Sequence, residues 1–171
     1  MQGTKSFCLK FTKDSSDLVG FVDSDWGSDK RDRKSYTGYV FKLSGGVISW
    51  KSTKQRTVAL SSTEAEYMAI CEASKEAIYL KNLLFELVGI SKPVLLYNDN
   101  QSAHKLCNNP LFHDRTKHID IKYHFVRNAV LDKIIDVKYL CSDSMIADIL
   151  TKILGATKFC KFVLSLGLQK V

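Results

Sequence analysis

Residues 18–89 read as a set of strands followed by one long helix, and that order leaves few folds open. Leu18 to Asp23 (LVGFVD) is a short apolar run bounded by polar residues. Tyr36 to Leu43 and Val47 to Lys51 alternate in polarity on either side of Ser44-Gly45-Gly46, which predicts a hairpin. A helical pattern starts at Ser61-Ser62-Thr63-Glu64, where a hydroxyl can cap free backbone N–H groups and an acid in the first turn suits the helix dipole. From Tyr67, apolar residues recur at helical spacing (Ile70, Cys71, Ala77, Ile78, Leu84, Leu87) until Gly89 ends the pattern. Pro93 then precedes a short buried strand, Val94 to Tyr97. Beyond Asn100 the pattern predicts a short helix to about Cys107, a loop at Pro110 and a helix over Thr116 to Leu131. A strand over Ile134 to Leu140 follows, then helices over Ser144 to Leu154 and Thr157 to Leu166. Three strands as an antiparallel meander, followed by alternating helices and strands, predict an α/β fold with helices on the faces of a mixed sheet.

The chain has 171 residues and no internal repeat, so residues 1–171 are expected to form a single domain. Its formal net charge of +7 leans towards a polyanionic partner. Cys8, Cys71, Cys107, Cys141 and Cys160 are odd in number and scattered, with no C-x-x-C pair, which argues against a disulfide framework or zinc finger and for a reducing compartment. The opening segment lacks the apolar core of a signal peptide, and no apolar run has the length of a membrane span. The expectation is an intracellular protein without a membrane partner.

The acidic residues carry the chemistry. Asp23 and Asp25 stand in VDSDW at the end of the first strand, Glu64 and Glu66 open the long helix, Asp99 directly follows the fourth strand, and Asp148 lies in IADILTK. Strand ends and helix starts of an open sheet line a common crevice, so acids remote in sequence can meet there. Such a cluster is costly without cations, because neighbouring carboxylates raise each other's pKa. Two Mg²⁺ ions would neutralise it and supply the chemistry of phosphodiester hydrolysis. A single strand-end Asp is more often a turn former or helix cap. Asp148 resists that reading, since its neighbours in a predicted helix are apolar.

Five ordered blocks sharpen the picture: VDSDWGSDKRDRKSYTGYVF, ISWKSTKQRTVALSSTEAEYMA, LYNDNQSAHKL, NPLFHDRTKHIDIKYHFVR and ADILTK. They resemble the ribonuclease H region that ends the polyprotein of copia-type retrotransposons, from about Thr4 to Leu154. The resemblance implies the ribonuclease H-like fold, with a five-stranded sheet of three antiparallel strands and then parallel ones. It implies cleavage of the RNA strand of RNA–DNA hybrids with two Mg²⁺ ions, Mn²⁺ substituting. By local match it also implies Asp23, Glu66, Asp99 and Asp148 as the catalytic and metal-binding set. Asp25 stands as an alternative to Asp23. Glu64 competes with Glu66, but two helical steps turn a side chain by about 200°, so only one can face the crevice; Glu64 is read as the dipole-complementing acid.

The resemblance places Gln101 near the RNA 2′-hydroxyl and Ser62 and Thr63 in a backbone-contacting stretch, where helix capping is an equal reading. Residues 1–16 look like the link or edge segment that follows a reverse transcriptase, which makes the reverse transcriptase part of the same polyprotein an expected partner; residues 155–171 are expected to form a helical tail. The histidine that many relatives carry before the last aspartate is missing, because Cys141-Ser142-Asp143 fills that stretch. His113, His118 and His124, with Arg115 and Lys117, either contact nucleic acid or pack, and packing is favoured for His124. Lys30, Arg31, Arg33 and Lys34 follow the first acidic block, and Lys51, Lys54, Gln55 and Arg56 precede the helix. Arg31, Lys51 and Lys54 head the expected phosphate contacts, against the alternative of a solvated face. Trp26 and Trp50 are interleaved with them, and Trp50 is expected in the core. Integrases of this fold end their acidic set with glutamate, and no glutamate follows Asp99 here. The remaining alternative is a catalytically silent or domesticated module of the same fold that binds nucleic acid.

Overall fold

A computed structural model describes residues 5–13, 17–89, 91–108 and 117–171. The central sheet contains β2 (Val19–Ser24), β3 (Tyr36–Leu43), β4 (Gly46–Lys54), β5 (Val94–Asn98) and β6 (Ile135–Tyr139), and β1 (Phe7–Leu9) lies outside it. Strand order is β4-β3-β2-β5-β6, with β2, β3 and β4 antiparallel and β5 and β6 parallel to β2. The predicted hairpin forms: Ser44 and Gly45 both have positive φ, 51° and 81°. Two left-handed residues give a turn whose twist matches that of the paired strands.

Helix α1 (Ser62–Val88) carries both of its predicted ends. Ser61 Oγ accepts from the Glu64 N–H at 3.1 Å, and Glu64 Oε2 accepts from the Leu60 N–H at 2.8 Å. Gly89 closes the helix at φ 70°, a conformation that costs a residue with a Cβ far more. Helices α2 (Gln101–Asn108) and α3 (Lys117–Leu131) join α1 on one face of the sheet. There Val22, Phe41, Ile70, Ala73, Leu96, Val126 and Val137 form the main core. The other face buries Val40, Val47, Ile146 and Phe162 beneath α4 (Ala156–Ser165).

Several expectations are corrected. The helix predicted over Ser144 to Leu154 is instead two 3-10 turns, Ser142–Ser144 and Ile146–Leu150. Met145 separates them at φ −77°, ψ 89°, outside helical geometry. The tail is not wholly helical: it ends in β7 (Leu168–Lys170), which pairs antiparallel with β1. Trp50 is 65% exposed rather than in the core, on β4, which is an edge strand with a neighbour on one side only. Trp26 is also exposed, with its indole N–H donating to Ala59 O at 3.2 Å. His124 does not pack inward; α3 buries Val126 and Ala129, and His124 stands on its exposed side. The Pro110 loop, His113 and Arg115 lie outside the described residues, as do the side chains of Lys117 and His118.

Candidate metal centre

Asp23, Asp99 and Asp148 converge. One carboxylate oxygen from each lies within 4.8 Å of the others. Asp23 is at the C-terminal end of β2, Asp99 just past β5, and Asp148 on the Ile146–Leu150 turn. Because β2 and β5 are parallel neighbours, their ends emerge side by side. The turn reaches them by pressing on β3 at Gly38, which pairs with Asp23. A Cβ on Gly38 would come within 2.7 Å of Thr151 Cγ2 and 2.9 Å of Leu150 Cβ. Only a residue without a side chain permits that approach.

Asp23 and Asp148 are 0% and 2% exposed, and Asp99 is half-buried. Glu66, 5% exposed in the first turns of α1, is not one of the three residues whose oxygens lie within 4.8 Å of one another; it is held by Asn98, whose Nδ2 donates to Glu66 Oε2 at 2.8 Å and to Val22 O at 3.0 Å. Burial pushes the Glu66 carboxyl well above its ordinary value, and the charges of Asp23 and Asp99 push the same way. Burial also raises Asp23, opposed by Lys152 and by a hydrogen bond from Thr151. Ser142 Oγ donates to Asp99 Oδ2 at 2.6 Å.

Asp25 is engaged away from the cluster. Its Oδ1 accepts from the Tyr36 N–H, and its Oδ2 is buried without a partner among the described residues. Burial raises its pKa too. Glu64 is occupied at the helix start.

Two lysines that the acid pattern did not single out complete the cluster. Lys152 Nζ donates to Asp23 Oδ1 at 2.9 Å and Asp148 Oδ1 at 3.0 Å, and Lys158 Nζ donates to Asp148 Oδ2 at 2.8 Å. Burial would lower the Lys152 ammonium, but Asp23 and Asp148 outweigh it and hold its pKa above the usual lysine value. Lys152 had a legible signal, four residues after Asp148 in ADILTK. Thr151 and Asn98 adjoin Asp148 and Asp99 in ADILTK and YNDNQ, whereas Lys158, Ser142 and Gly38 had no such signal, since only the folded chain brings them here.

The candidate nucleic-acid contacts are distributed around this end of the sheet. Gln101 is exposed at the start of α2, and Ser62 and Thr63 open α1 with hydroxyls free of hydrogen bonds among the described residues. Lys51 is exposed on β4. Arg31 and Lys54 both pair with Asp29, at 3.1 and 2.6 Å, and Lys54 also pairs with Asp32 at 2.8 Å. Gln55 is a structural residue: its buried amide donates to Ser24 Oγ, Thr37 Oγ1 and Ala65 O.

A donor set made wholly of carboxylate oxygens suits a hard dication such as Mg²⁺ or Mn²⁺.

The sequence is 45% identical over 163 residues to the retrovirus-related Pol polyprotein of transposon TNT 1-94 from Nicotiana tabacum, covering 94% of this chain and 12% of that protein. It is 42% identical over 155 residues to the Pol polyprotein of transposon RE1 from Arabidopsis thaliana, covering 90% of this chain and 11% of that protein. The chain thus spans about a tenth of the length of these relatives. No protein-family model matches it. Among solved structures it is similar to ribonuclease H1 from Halobacterium salinarum, with TM-score 0.56, 16% identity and coverage of 78% of this chain and 93% of that one. It is also similar to LC11-RNase H1 in complex with an RNA/DNA hybrid, with TM-score 0.58, 14% identity and coverage of 79% and 94%. By sequence the chain belongs with the Pol polyproteins of plant copia-type retrotransposons, and by fold it is a ribonuclease H-type domain.

Proposed function

We propose that the domain is a metal-dependent endonuclease that hydrolyses the RNA strand of RNA–DNA hybrids during reverse transcription of a retrotransposon. The observation that carries this reading is the convergence of Asp23, Asp99 and Asp148 within 4.8 Å, with the buried Glu66 carboxyl feeling the charges of Asp23 and Asp99. Those four residues would hold two Mg²⁺ ions, or Mn²⁺. When bound, such a pair activates water and stabilises the leaving oxygen of an in-line displacement. The protein's own contribution is placement: Asn98 orients Glu66, Thr151 orients Asp23 and Ser142 orients Asp99. Gln101, Ser62 and Thr63 would meet the hybrid beside the cut, where 2′-hydroxyl contacts distinguish RNA from DNA. Arg31, Lys51 and Lys54 would meet phosphates. The polyprotein relatives support the reverse transcriptase of the same polyprotein as a partner.

One observation favours a second reading. Lys152 and Lys158 already neutralise Asp23 and Asp148, so the cluster holds together without a dication. A silent module that only binds hybrid would have that arrangement. A cleavage assay on hybrid labelled in the RNA strand separates the two. Mg²⁺- or Mn²⁺-dependent fragments, abolished by chelation and by Asp99→Asn, are expected. Binding without fragments at any divalent concentration overturns the hydrolase, and native-rate cleavage by Asp99→Asn overturns the site.

A further inference from the structure

Helix α1 changes character along its length. Its first half buries Ala65, Tyr67, Ala69, Ile70 and Ala73, whereas its last turns expose Tyr79, Leu83, Phe85, Leu87 and Val88. Tyr79, Leu83 and Leu87 are 61%, 38% and 69% exposed. They recur every four residues, so they form one ridge along the outer surface of the helix. Single exposed apolar residues are ordinary, but a contiguous apolar ridge marks an interaction surface.

Charge says what covers it. Lys75, Tyr79, Asn82 and Glu86, all exposed, follow one another at steps of four, three and four residues, the stripe spacing of two nearly aligned helices. The stripe is positive at its first end and negative at its last. Laid antiparallel on a second copy of itself, it sets Lys75 opposite Glu86 of the other copy and Tyr79 opposite Asn82, twice over. A two-fold axis demands this self-complementarity, since whatever residue one copy touches must touch back. A parallel copy would set lysine on lysine and glutamate on glutamate.

Both charges are available. Glu86 has no cation within ion-pair distance among the described residues. Lys75, its side chain 55% exposed, pairs with Glu72 one turn back at 2.6 Å. Lys81 is turned aside, its ammonium donating to Lys133 O at 3.2 Å. Residues 75–88 hold two lysines and two glutamates, so this stretch is neutral on a chain of net charge +7 and escapes the repulsion between basic bodies. A rise of 1.5 Å per residue puts Tyr79 about 20 Å along α1 from Glu66, so a copy seated here leaves the acidic cluster open.

We propose that this face is a homodimer interface, with α1 packed antiparallel on α1 of a second copy about a two-fold axis. Lys75, Tyr79, Asn82, Leu83, Glu86 and Leu87 from each copy make it a small interface of the weak, transient class.

Sedimentation equilibrium of the chain across a concentration series tests this. Native protein is expected to pass reversibly from monomer to dimer. Leu83→Asp places a charge on the ridge and is expected to stay monomeric, with unaltered thermal unfolding. Glu86→Lys should weaken the dimer severalfold, because lysine then meets lysine at both ends, and K75E/E86K should restore most of it, because opposite charges meet again. Unspecific stickiness of the ridge would not recover on that exchange. Native protein that is monomeric at every concentration overturns the interface, and so does a dimer that persists in folded L83D. A dimer that the charge exchange leaves weak overturns the antiparallel packing. A native monomer that binds the reverse transcriptase part of a polyprotein, and loses it in L83D, assigns the face to that domain and overturns the dimer. None of these measurements involves cleavage, so failure of the nuclease reading leaves the interface standing.

Discussion

Glu66 is the residue where burial and function conflict most. Its carboxyl is buried beside Asp23 and Asp99, and its pKa is well above the ordinary glutamate value of 4.5. The native state therefore binds this proton more tightly than the unfolded chain does. That stability is fully present below pH 4.5 and is lost as pH rises through the folded pKa. Metal-free protein should thus melt at falling temperature from mild acid towards neutral pH, and saturating Mg²⁺ should flatten the trend. Glu66→Gln keeps an acceptor for Asn98 and removes the charge. It should raise the metal-free melting temperature at pH 7, by about 2–4 °C for each 1 kcal/mol gained, while abolishing cleavage. A lower melting temperature in calorimetry would contradict the electrostatic account. Lys152 has the opposite sign. Lys152→Gln leaves Asp23 and Asp148 buried with one fewer counter-charge, at a cost of about 1–3 kcal/mol in metal-free protein. Urea midpoints with and without Mg²⁺ measure it: the deficit should shrink with metal, since a dication can replace the ammonium. An equal deficit in both conditions would mean that Lys152 serves packing alone.

At the scale of elements, helix α1 and the Ile146–Leu150 turn differ sharply in how much of them was legible. The ends of α1 are local chemistry: Ser61, Glu64 and Gly89 act on backbone groups a few residues away, so their identities sufficed. IADILTK has helical periodicity and so predicts a helix, whereas the shape of the turn is imposed by Gly38 on β3, more than a hundred residues earlier. Gly38→Ala should displace that turn. Its Cβ would lie inside the contact distance of both Leu150 and Thr151, and overpacking of this kind costs about 1–3 kcal/mol. Cleavage should fall by more than the stability loss explains, because Asp148 moves with the turn. Melting curves and hybrid cleavage measured on one preparation decide this, and native activity in the variant would show that the turn tolerates the shift. Trp50 and His124 depart from expectation for a related reason: large apolar or aromatic character favours burial on average, yet an edge strand and a helix's outer side leave such residues exposed.

At the scale of the molecule, the two ends of the described chain are joined. Strands β1 and β7 pair, Lys10 N–H donates to Gly167 O at 2.8 Å, and Val171 N–H donates to Ser6 O at 2.7 Å. This ribbon leans on the β3–β4 turn, where Thr12 N–H donates to Ser44 O at 2.8 Å and Val47 N–H to Leu166 O at 3.2 Å. Removing Leu168 to Val171 should lower the melting temperature by a few degrees, about 2–4 °C per kcal/mol. Divalent binding measured by calorimetry should be unaltered, since the acidic cluster lies at the other end of β3. Weakened metal binding would show that the ribbon supports the centre.

Periodicity, turn chemistry and the order of elements were enough to specify the antiparallel meander, the long helix and the mixed sheet, because each depends on neighbours within a few residues. The positions of Asp23 and Asp99 at strand ends and of Glu66 at a helix start pointed to one crevice for the same reason, whereas Asp148 stood out only as an acid among apolar neighbours in a predicted helix. Choosing Asp23 over Asp25 for the cluster and pairing Lys152 and Lys158 with the acids were decided only in three dimensions. Those outcomes depend on distances between segments remote along the chain, set by strand pairing and by the close approach at Gly38. No local pattern encodes such distances.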